Sequence, residues 1–502
     1  MFLHPLDVLV LVAYFVGLLS IGFFFAKKQT SQEMYFLGGR RIPWFLAGAS
    51  VFATLLSTIS YIAIPGEMIR YGVGFFTNLF AFVLIIPVVN YLIIPTLMDL
   101  PDTSVYDYLG RRFSQMTRLL GVAVFVLMRL TWMGLILYTG CLAVSKMTGW
   151  NVATLVLVMG SVTVLYTTLG GMSAVVWSDL MQSIVLLSGA ILVPVYVAWV
   201  TGVGPVGWWN VFSSADRASV PLFSLDPTER ITSVGSMLSL FIWHVCTHSA
   251  DQVAAQRYLS TSSLTEARRS FWFFSLVTII LVLLLMVCAV GLFYFEYQMS
   301  NVSIDEYQQD IVQRADDVFP RFIAEQLPVG LSGLLLAAIL AAAMSSLSSG
   351  VNSIAAVLST GVLSGTSRGD RNDRGLGRPF ILTFLAGSLG MVVALVVNYL
   401  MQVSDWNLVT LMERTNLFAA PLGAIFLGGI WFRRLDSVSV LIGFVCSLST
   451  GVLISFSGPL FGYEISFMWI MPAAFCIGIS VSVIVSRLTK YVNPSQEGEA
   501  LK

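Results

Sequence analysis

The sequence is poor in charged residues and in histidine, and its cysteines form no motif. Charged residues make up 11% of the chain and there are three histidines, whereas a soluble domain is about 25% charged. The five cysteines fall in apolar stretches without CxxC or CxxH spacing, so we interpret them as core residues and expect neither a metal centre nor a disulfide framework. No Walker loop or nucleophile elbow stands in a suitable context, and no basic tract favours nucleic acid. The sequence therefore predicts neither an enzyme nor a nucleic-acid-binding protein.

Apolar residues are what the sequence has in abundance. They make up 57% of its 502 residues, and about 20 consecutive apolar residues suffice to cross a bilayer. The sequence predicts an all-α polytopic membrane protein with about thirteen spans in a single transmembrane domain, residues 1–502. We number these spans 0 to 12, with limits at 6–26, 43–70, 75–98, 117–147, 152–169, 174–200, 233–254, 270–295, 328–361, 379–402, 408–432, 435–457 and 465–487.

The distribution of Lys and Arg orients the spans, because cytoplasmic loops carry an excess of both. With the N-terminus outside, most of the 27 Lys and Arg residues, Arg257 among them, fall on the cytoplasmic side. The predicted outer loop 296–327 is acidic. We therefore expect a multi-pass protein of the cell membrane, plasma or inner, with the N-terminus outside and the C-terminus in the cytoplasm. Its partners are expected to be the lipid bilayer and a small solute, with no obligatory protein partner.

Two spans carry clustered hydroxyl groups where lipid disfavours them. Span 1 holds five Ser or Thr residues between Ser50 and Ser60 and then Pro65 and Gly66. Unwinding this span would free backbone carbonyls, which bind hard cations well. Span 8 has four serines in five positions, a pattern that also favours a cation site: Ser345, Ser346, Ser348 and Ser349. The alternative for both spans is that the hydroxyls bond to their own helix or pack against a neighbour.

Ionisable residues inside the spans are the next candidates for function. Asp179 in span 5 should pair, become protonated or bind a cation, unless it simply lies near the cytoplasmic end. Arg129 in span 3 and the pair Glu413 and Arg414 in span 10 predict a structural ion-pair network, with a carboxylate-binding arginine as the alternative. In span 6, His244 has a second histidine one turn later. The lack of a third ligand favours a cavity or packing role over zinc.

With these residues in view, the chain resembles the sodium/solute symporter family, which includes sodium-coupled transporters of sugars, proline, sialic acid, iodide, monocarboxylates and vitamins. The resemblance extends over essentially the whole chain. Its most specific stretches are YTTLGGMSAVVWSD at 166–179 and GLLLAAILAAAMSSLSS at 333–349. It implies a LeuT-type core of two inverted five-span repeats, at 43–200 and 233–432. One extra N-terminal helix, 6–26, would precede this core and two C-terminal helices, 435–487, would follow it.

The resemblance also implies which residues bind sodium and solute. The main sodium site of the family uses carbonyls of span 1 with a carbonyl and hydroxyls of span 8, which here are Ala53, Leu56, Ala342, Ser345 and Ser346. The second sodium site of some members would correspond to Asp179, Ser345, Ser348 and Ser349. Candidate solute residues at the broken midpoints of spans 1 and 6 and their neighbours are Leu55, Ser57, Ser60, Asn78, Trp132, Trp243, His244 and Thr247. The arginine that sialic acid carriers place in span 3 is replaced by Trp132, and Arg129 lies nearly a turn away.

The function we expect is secondary active transport, with Na+ as the coupling ion. A small polar organic solute, either an organic anion or a sugar, would be carried by symport through alternating access. One alternative is a proton-coupled solute carrier of the same fold. Another is a sugar- or anion-sensing membrane receptor, which would require an attached signalling domain.

Overall fold

The computed structural model describes residues 4–100, 104–215, 224–300, 302–361, 375–403, 411 and 415–492, and these residues form helices without a single strand. Within these ranges nine helices are long and apolar enough to cross a membrane, or ten if the bent pair in span 1 counts as one. Large apolar side chains such as Val83 and Trp199 are exposed on the outside of the protein. Such an apolar surface is expected where a protein faces lipid and is rare where it faces water. The chain is therefore a multi-pass membrane protein.

Each predicted span contains a helix within the described residues. The helices are Pro5–Ala26, Trp44–Leu55 with Thr58–Tyr71, Phe82–Val88 with Ile94–Met98, Gln115–Thr148, Val152–Thr201, Ser233–Ala250 with Gln252–Leu259, Leu264–Ser300, Leu331–Gly361, Gly377–Val403, Ala419–Trp431, Ser437–Ser455 and Ile470–Val492. Shorter helices connect them at Gln32–Leu37, Val105–Arg112, Pro205–Ser214, Ile304–Gln313, Ala315–Glu325 and Ser457–Phe461. Since Ala419–Trp431 is shorter than a bilayer crossing, the number of thirteen spans stays a prediction.

The first helix, Pro5–Ala26, is attached to span 8 through a carboxylate. The Asp7 Oδ1 atom accepts hydrogen bonds from the backbone N–H groups of Gly330, at 2.7 Å, and Gly333, at 2.8 Å. These amides lie at the start of helix Leu331–Gly361, where N–H groups have no partner within the helix and where a negative charge is stabilised. Asp7 is only 4% exposed, so span 0 supplies the N-terminal cap of the helix that carries the four clustered serines.

The 50-residue helix Val152–Thr201 is broken at Gly171. This glycine has φ 54° and ψ −152°, a conformation that residues with a side chain rarely adopt. A Cβ atom at this position would lie 2.7 Å from the carbonyl oxygen of Tyr35. The break falls between the predicted spans 4 and 5, and it depends both on the backbone conformation and on the close approach of another segment.

Replacing Gly171 with Ala should therefore lower the thermal stability of the purified protein strongly. Gly202→Ala is the matched control, because Gly202 also has a positive φ, of 67°, but has open space around its Cβ position. The control should cost about 1 kcal/mol, and Gly171→Ala should cost clearly more. The measurement is the apparent melting temperature of each variant in detergent. Equal losses in the two variants would contradict the role of the Tyr35 contact.

Candidate functional site

The helix of span 1 is interrupted near its middle. Trp44–Leu55 ends at Leu56, whose backbone is extended (φ −81°, ψ 115°), and the next helix begins after Ser57, whose hydroxyl accepts the amide of Ser60 at 3.2 Å. The two halves are bent by 59°. A helix that ends in this way leaves its last carbonyl groups without amide partners of their own. The carbonyls of Ala53 and Thr54 belong to this last turn.

Hydroxyl groups of span 8 bond to the carbonyls at this break. The Ser345 Oγ donates to the Ala53 oxygen at 2.7 Å and lies 3.1 Å from the Ala342 oxygen, while the Ser346 Oγ donates to the Thr54 oxygen at 3.0 Å. The side chains of Ser345 and Ser346 are buried. Three of the predicted sodium ligands, on Ala53, Ala342 and Ser345, are therefore joined by direct contacts, with Ser346 one residue further along span 8.

Leu56 of the predicted set and Thr54, which is not in that set, also lie at the break of span 1. Leu56 lies in the break itself and is 8% exposed, and its backbone N–H donates to Phe52 at 3.0 Å. Thr54 was absent from the sequence prediction, although its carbonyl accepts the Ser346 hydroxyl and its Oγ1 lies 2.7 Å from the Ser349 Oγ. The hydroxyl run in span 1 was the signal that pointed to this residue.

Asp179 forms a buried ion pair. Its Oδ2 atom accepts the hydroxyls of Ser50 and, at 3.3 Å, Ser349, and lies 3.9 Å from Nη2 of Arg257. Arg257 also donates to Ser50 and Ser349, and both charged side chains are fully buried. Of the second predicted sodium set, Asp179 and Ser349 are in contact. The Ser348 hydroxyl bonds instead to the carbonyl of Ser345 at 3.0 Å.

The side chain of Arg257 is buried. We expected this residue on the cytoplasmic side, after the end of span 6 at 254, and it lies in helix Gln252–Leu259, which continues span 6. Its side of the membrane stays a prediction. A buried carboxylate such as Asp179 needs a counter-charge, but nothing in the sequence around Arg257 indicates that it is the partner. The two residues are brought together because spans 1 and 8 pack against both span 5 and the second half of span 6.

Span 6 is broken in nearly the same way as span 1. Helix Ser233–Ala250 ends at Asp251, which has φ −90° and ψ 118°, and helix Gln252–Leu259 follows directly. The Tyr106 hydroxyl donates to the Ala250 carbonyl at 2.8 Å. Burial raises the pKa of this phenol, in the short helix Val105–Arg112, above its ordinary value, so that Tyr106 stays a neutral donor. Carbonyls at both breaks are thus satisfied by hydroxyls from other helices.

A cavity of about 50 Å³ lies between the two breaks. Four of the predicted solute residues line it, namely Leu55, Trp132, Trp243 and Thr247. Its other described lining residues are Thr54, Met128, Arg129, Cys246, Ala250, Asp251, Thr415, Ala419 and Leu422. This volume is room for one or a few water molecules, so a larger solute requires movement of the surrounding helices.

The other predicted solute residues lie outside this wall. Ser57 caps the second half of span 1, and its hydroxyl lies 3.1 Å from that of Ser60 in the first turn of this helix. Asn78 lies in the 3-10 segment Gly72–Ala81. His244 Nδ1 lies 3.1 Å from His248 Nε2, and the two rings are stacked. In the described residues no group of three or more His, Cys, Asp or Glu side chains could hold a metal ion.

The predicted network of span 10 is only partly visible. Glu413 and Arg414 lie outside the described residues. Arg129, which we grouped with them, pairs with Asp251 at the break of span 6 and is 5% exposed. This partner is 122 positions away along the chain, and its position in the break was not anticipated from the sequence.

Comparisons with known proteins match nearly the whole chain. The model of the sodium:solute symporter family matches residues 35–446. A sodium/sialic acid symporter of Aliivibrio fischeri is 30% identical over 89% of this chain and 86% of its own length. One of Proteus mirabilis is 27% identical over 88% and 87%. The sodium-coupled monocarboxylate transporter 2 of Homo sapiens is 28% identical over 70% of this chain, which is 57% of its own length.

The solved structures that resemble this chain share its fold. A Na+-coupled sialic acid symporter in a substrate-bound, outward-open state superposes with a TM-score of 0.85, covering 97% of this chain and 98% of its own, at 24% identity. A nucleobase-cation-symport-1 family transporter superposes with a TM-score of 0.52 at 15% identity. The fold is therefore a LeuT-like transporter fold.

Breaking the pair between Asp179 and Arg257 should destabilise the protein. Either Asp179→Asn or Arg257→Gln leaves one buried charge uncompensated, which costs about 3–5 kcal/mol, and the double variant should lose less than the two single losses combined. The measurement is the apparent melting temperature in detergent. Arg321→Gln is the control, because it removes an exposed pair with Glu325 that contributes little. Additive losses would contradict direct pairing.

Proposed function

Because this chain belongs to the sodium:solute symporter family, we propose that it couples sodium to the uptake of a small organic anion by alternating access. It is a transporter and not an enzyme, and Na+ is its coupling ion. We propose further that the protein lies in the cell membrane with its N-terminus outside. The two similar breaks at Leu56 and Asp251 support two inverted repeats around the cavity, since transporters of this kind bind their ligands where broken helices meet.

The hydrogen bond from the Ser345 hydroxyl to the Ala53 carbonyl is the observation that supports the proposed position of the main sodium site. It joins an oxygen of the broken span 1 to an oxygen of span 8 inside the protein. Helix C-termini and unwound carbonyls carry partial negative charge and are suited to bind Na+. We propose that sodium binds between the carbonyls of Ala53, Leu56 and Ala342 and the hydroxyls of Ser345 and Ser346. Sodium would replace the direct hydrogen bonds and hold span 1 in a solute-binding shape.

The proposed solute is an anion, for two reasons. Among the relatives that match, those of Aliivibrio fischeri and Proteus mirabilis are named for sialic acid and that of Homo sapiens for monocarboxylates. The described cavity wall has one cationic and one anionic side chain, Arg129 and Asp251, so a bound sodium ion leaves one positive charge to be balanced. A sugar would not supply that balance. A second sodium ion at Asp179, Ser345, Ser348 and Ser349 stays a prediction.

Removing a hydroxyl from the main site should weaken sodium binding. Ser346→Ala should raise the sodium concentration for half-maximal uptake by about tenfold, since one ligand contributes on the order of 1.4 kcal/mol. Ser345→Ala should do the same. The measurement is radiolabelled sialic acid uptake into proteoliposomes over a range of sodium concentrations at constant ionic strength, together with sodium-dependent thermal shifts.

The matched control is Ser332→Ala. Ser332 lies on the same helix, about 20 Å from Ser345 along the helix axis at a rise of 1.5 Å per residue. Its hydroxyl donates to the carbonyl of Ile323 at 3.2 Å. Its sodium dependence should equal that of the original chain. An unchanged sodium dependence in both Ser345→Ala and Ser346→Ala would overturn the proposed site. Thermal stabilisation by sodium and by potassium to the same degree in the original chain would overturn sodium coupling itself.

A further inference from the structure

The break of span 6 is hydrogen-bonded to a short helix that belongs to neither half of that span. The Tyr106 hydroxyl donates to the carbonyl of Ala250 at 2.8 Å, and the backbone N–H of Val105 donates to the Oε1 atom of Gln252 at 2.9 Å. Ala250 and Gln252 are the two neighbours of Asp251, whose extended backbone makes the break. Two consecutive residues of one short helix therefore hold both edges of the break.

Helix Val105–Arg112, which carries both donors, is itself held in place. Ser104 caps its start by accepting the backbone N–H of Tyr106 at 3.2 Å. Asp107 in its first turn pairs with Arg118 of span 3 at 2.6 Å, and both charged side chains are largely shielded from solvent. A helix that is capped at its start and paired to a neighbouring span is a firm support for the groups it presents.

The ring of Tyr106 has little freedom to turn its hydroxyl away from the break. It is 1% exposed, and its centroid lies 5.2 Å from that of Phe125 in span 3. A Cβ atom at Gly121 would lie 3.0 Å from the Tyr106 Cδ1 atom, so the backbone of span 3 packs closely against the ring. The donor of the bond to Ala250 is therefore fixed in position by close packing.

The edge of the break that Tyr106 holds is also a wall of the cavity. Cys246, Thr247 and Ala250 lie in the last turn of the first half of span 6, and all three line the cavity. The last carbonyls of a helix lack amide partners within that helix, and helix ends fray. Tyr106 is not among the described lining residues. The position of this wall therefore depends on a residue that lies behind it.

We propose that Tyr106 is a positioning residue for solute binding, because its hydroxyl fixes the last turn of the first half of span 6 and with it one wall of the cavity. This inference rests on the proposed function, in which the cavity binds the solute. The hydroxyl bonds to the break of span 6 and not to the carbonyls of span 1 that form the proposed sodium site. Loss of the hydroxyl should therefore weaken solute binding more than sodium binding.

The test removes the hydroxyl and keeps the ring. In purified full-length Tyr106→Phe, the buried thiol of Cys246 should react with N-ethylmaleimide about tenfold faster than in the original chain, since one hydrogen bond shifts a local opening equilibrium by about that factor. Mass spectrometry of the modified peptides gives the rate for each cysteine. Cys288 in span 7 is the internal reference, because it is also buried and lies outside the described cavity wall. Its rate should not change.

Two results of this measurement would overturn the positioning role. One is a Cys246 rate that does not change, and the other is an equal acceleration at Cys246 and Cys288, which indicates general loosening. Tyr196→Phe is the matched control. The Tyr196 hydroxyl donates to the carbonyl of Gln326 at 2.7 Å, just after helix Ala315–Glu325. This variant also loses a tyrosine bond to a carbonyl at a helix end, but its Cys246 should react at the original rate.

Val105→Pro tests the second bond and keeps the experiment decisive if Tyr106→Phe fails to fold. Val105 is the first residue of its helix, where Pro is tolerated, so the variant removes the N–H that Gln252 accepts. Cys246 should react faster by roughly two- to tenfold. Val152→Pro is the matched control, since Val152 is also the first residue of a capped helix, and it should not change the rate. Equal Cys246 rates in the two proline variants would contradict the hold on the break.

Transport measurements separate failure of the inference from failure of the proposed function. In Tyr106→Phe the KM for uptake of radiolabelled sialic acid into proteoliposomes should rise severalfold at a nearly unchanged maximal rate. The half-maximal sodium concentration of the thermal shift, measured without solute, should change by less than about twofold, since effects at separate sites are nearly independent. An unchanged KM would overturn the role of Tyr106 in solute binding.

Results on the original chain bear on the proposed function alone. If sodium and potassium stabilise the original chain equally, sodium coupling is overturned. If the original chain does not take up sialic acid, that compound is excluded as a solute. In both cases the comparison of Cys246 with Cys288 in Tyr106→Phe still decides whether the hydroxyl holds the cavity wall.

Discussion

The bond between the unwound middle of span 1 and the hydroxyls of span 8 is the constraint on which the rest of this structure depends. Inside a bilayer an unsatisfied carbonyl costs several kcal/mol, so a helix can be broken there only where another group bonds to it. Ser345 and Ser346 supply that group for Ala53 and Thr54. In the proposed sodium site the same oxygens would bind the cation, and this would link the integrity of the fold to the ion that the protein carries.

The break of span 6 follows the same rule with different chemistry. There the Tyr106 hydroxyl bonds to the last carbonyl, and the side chain of Asp251 caps the next helix. The cavity lies between the two breaks and is lined by residues from both broken spans. A change at either break therefore changes the shape of the cavity, which gives ion and solute a physical route by which each alters the affinity for the other.

The sequence could predict where the polar groups lie along each helix, because hydroxyls and charges in apolar spans are conspicuous. It therefore pointed to the serines of span 8 and to Asp179 as groups in need of partners. It could not predict the partners themselves. Arg129 and Asp251 are 122 positions apart, and helical periodicity gives the face on which a residue lies but neither its depth nor the element that packs against it. The burial of Arg257 could not be predicted for the same reason, since it depends on how the second half of span 6 packs against spans 1 and 8.

The first helix contacts spans 4, 5 and 8, two of which carry the buried Asp179 and the clustered serines. Asp7 holds the start of span 8, Tyr14 accepts a bond from Gln182 of span 5 at 3.2 Å, and Gly22 lies against the backbone of Tyr166. These attachments join span 0 to spans 4, 5 and 8, so a sliding movement between spans 5 and 8 would break the contact at Asp7 or the contact at Tyr14.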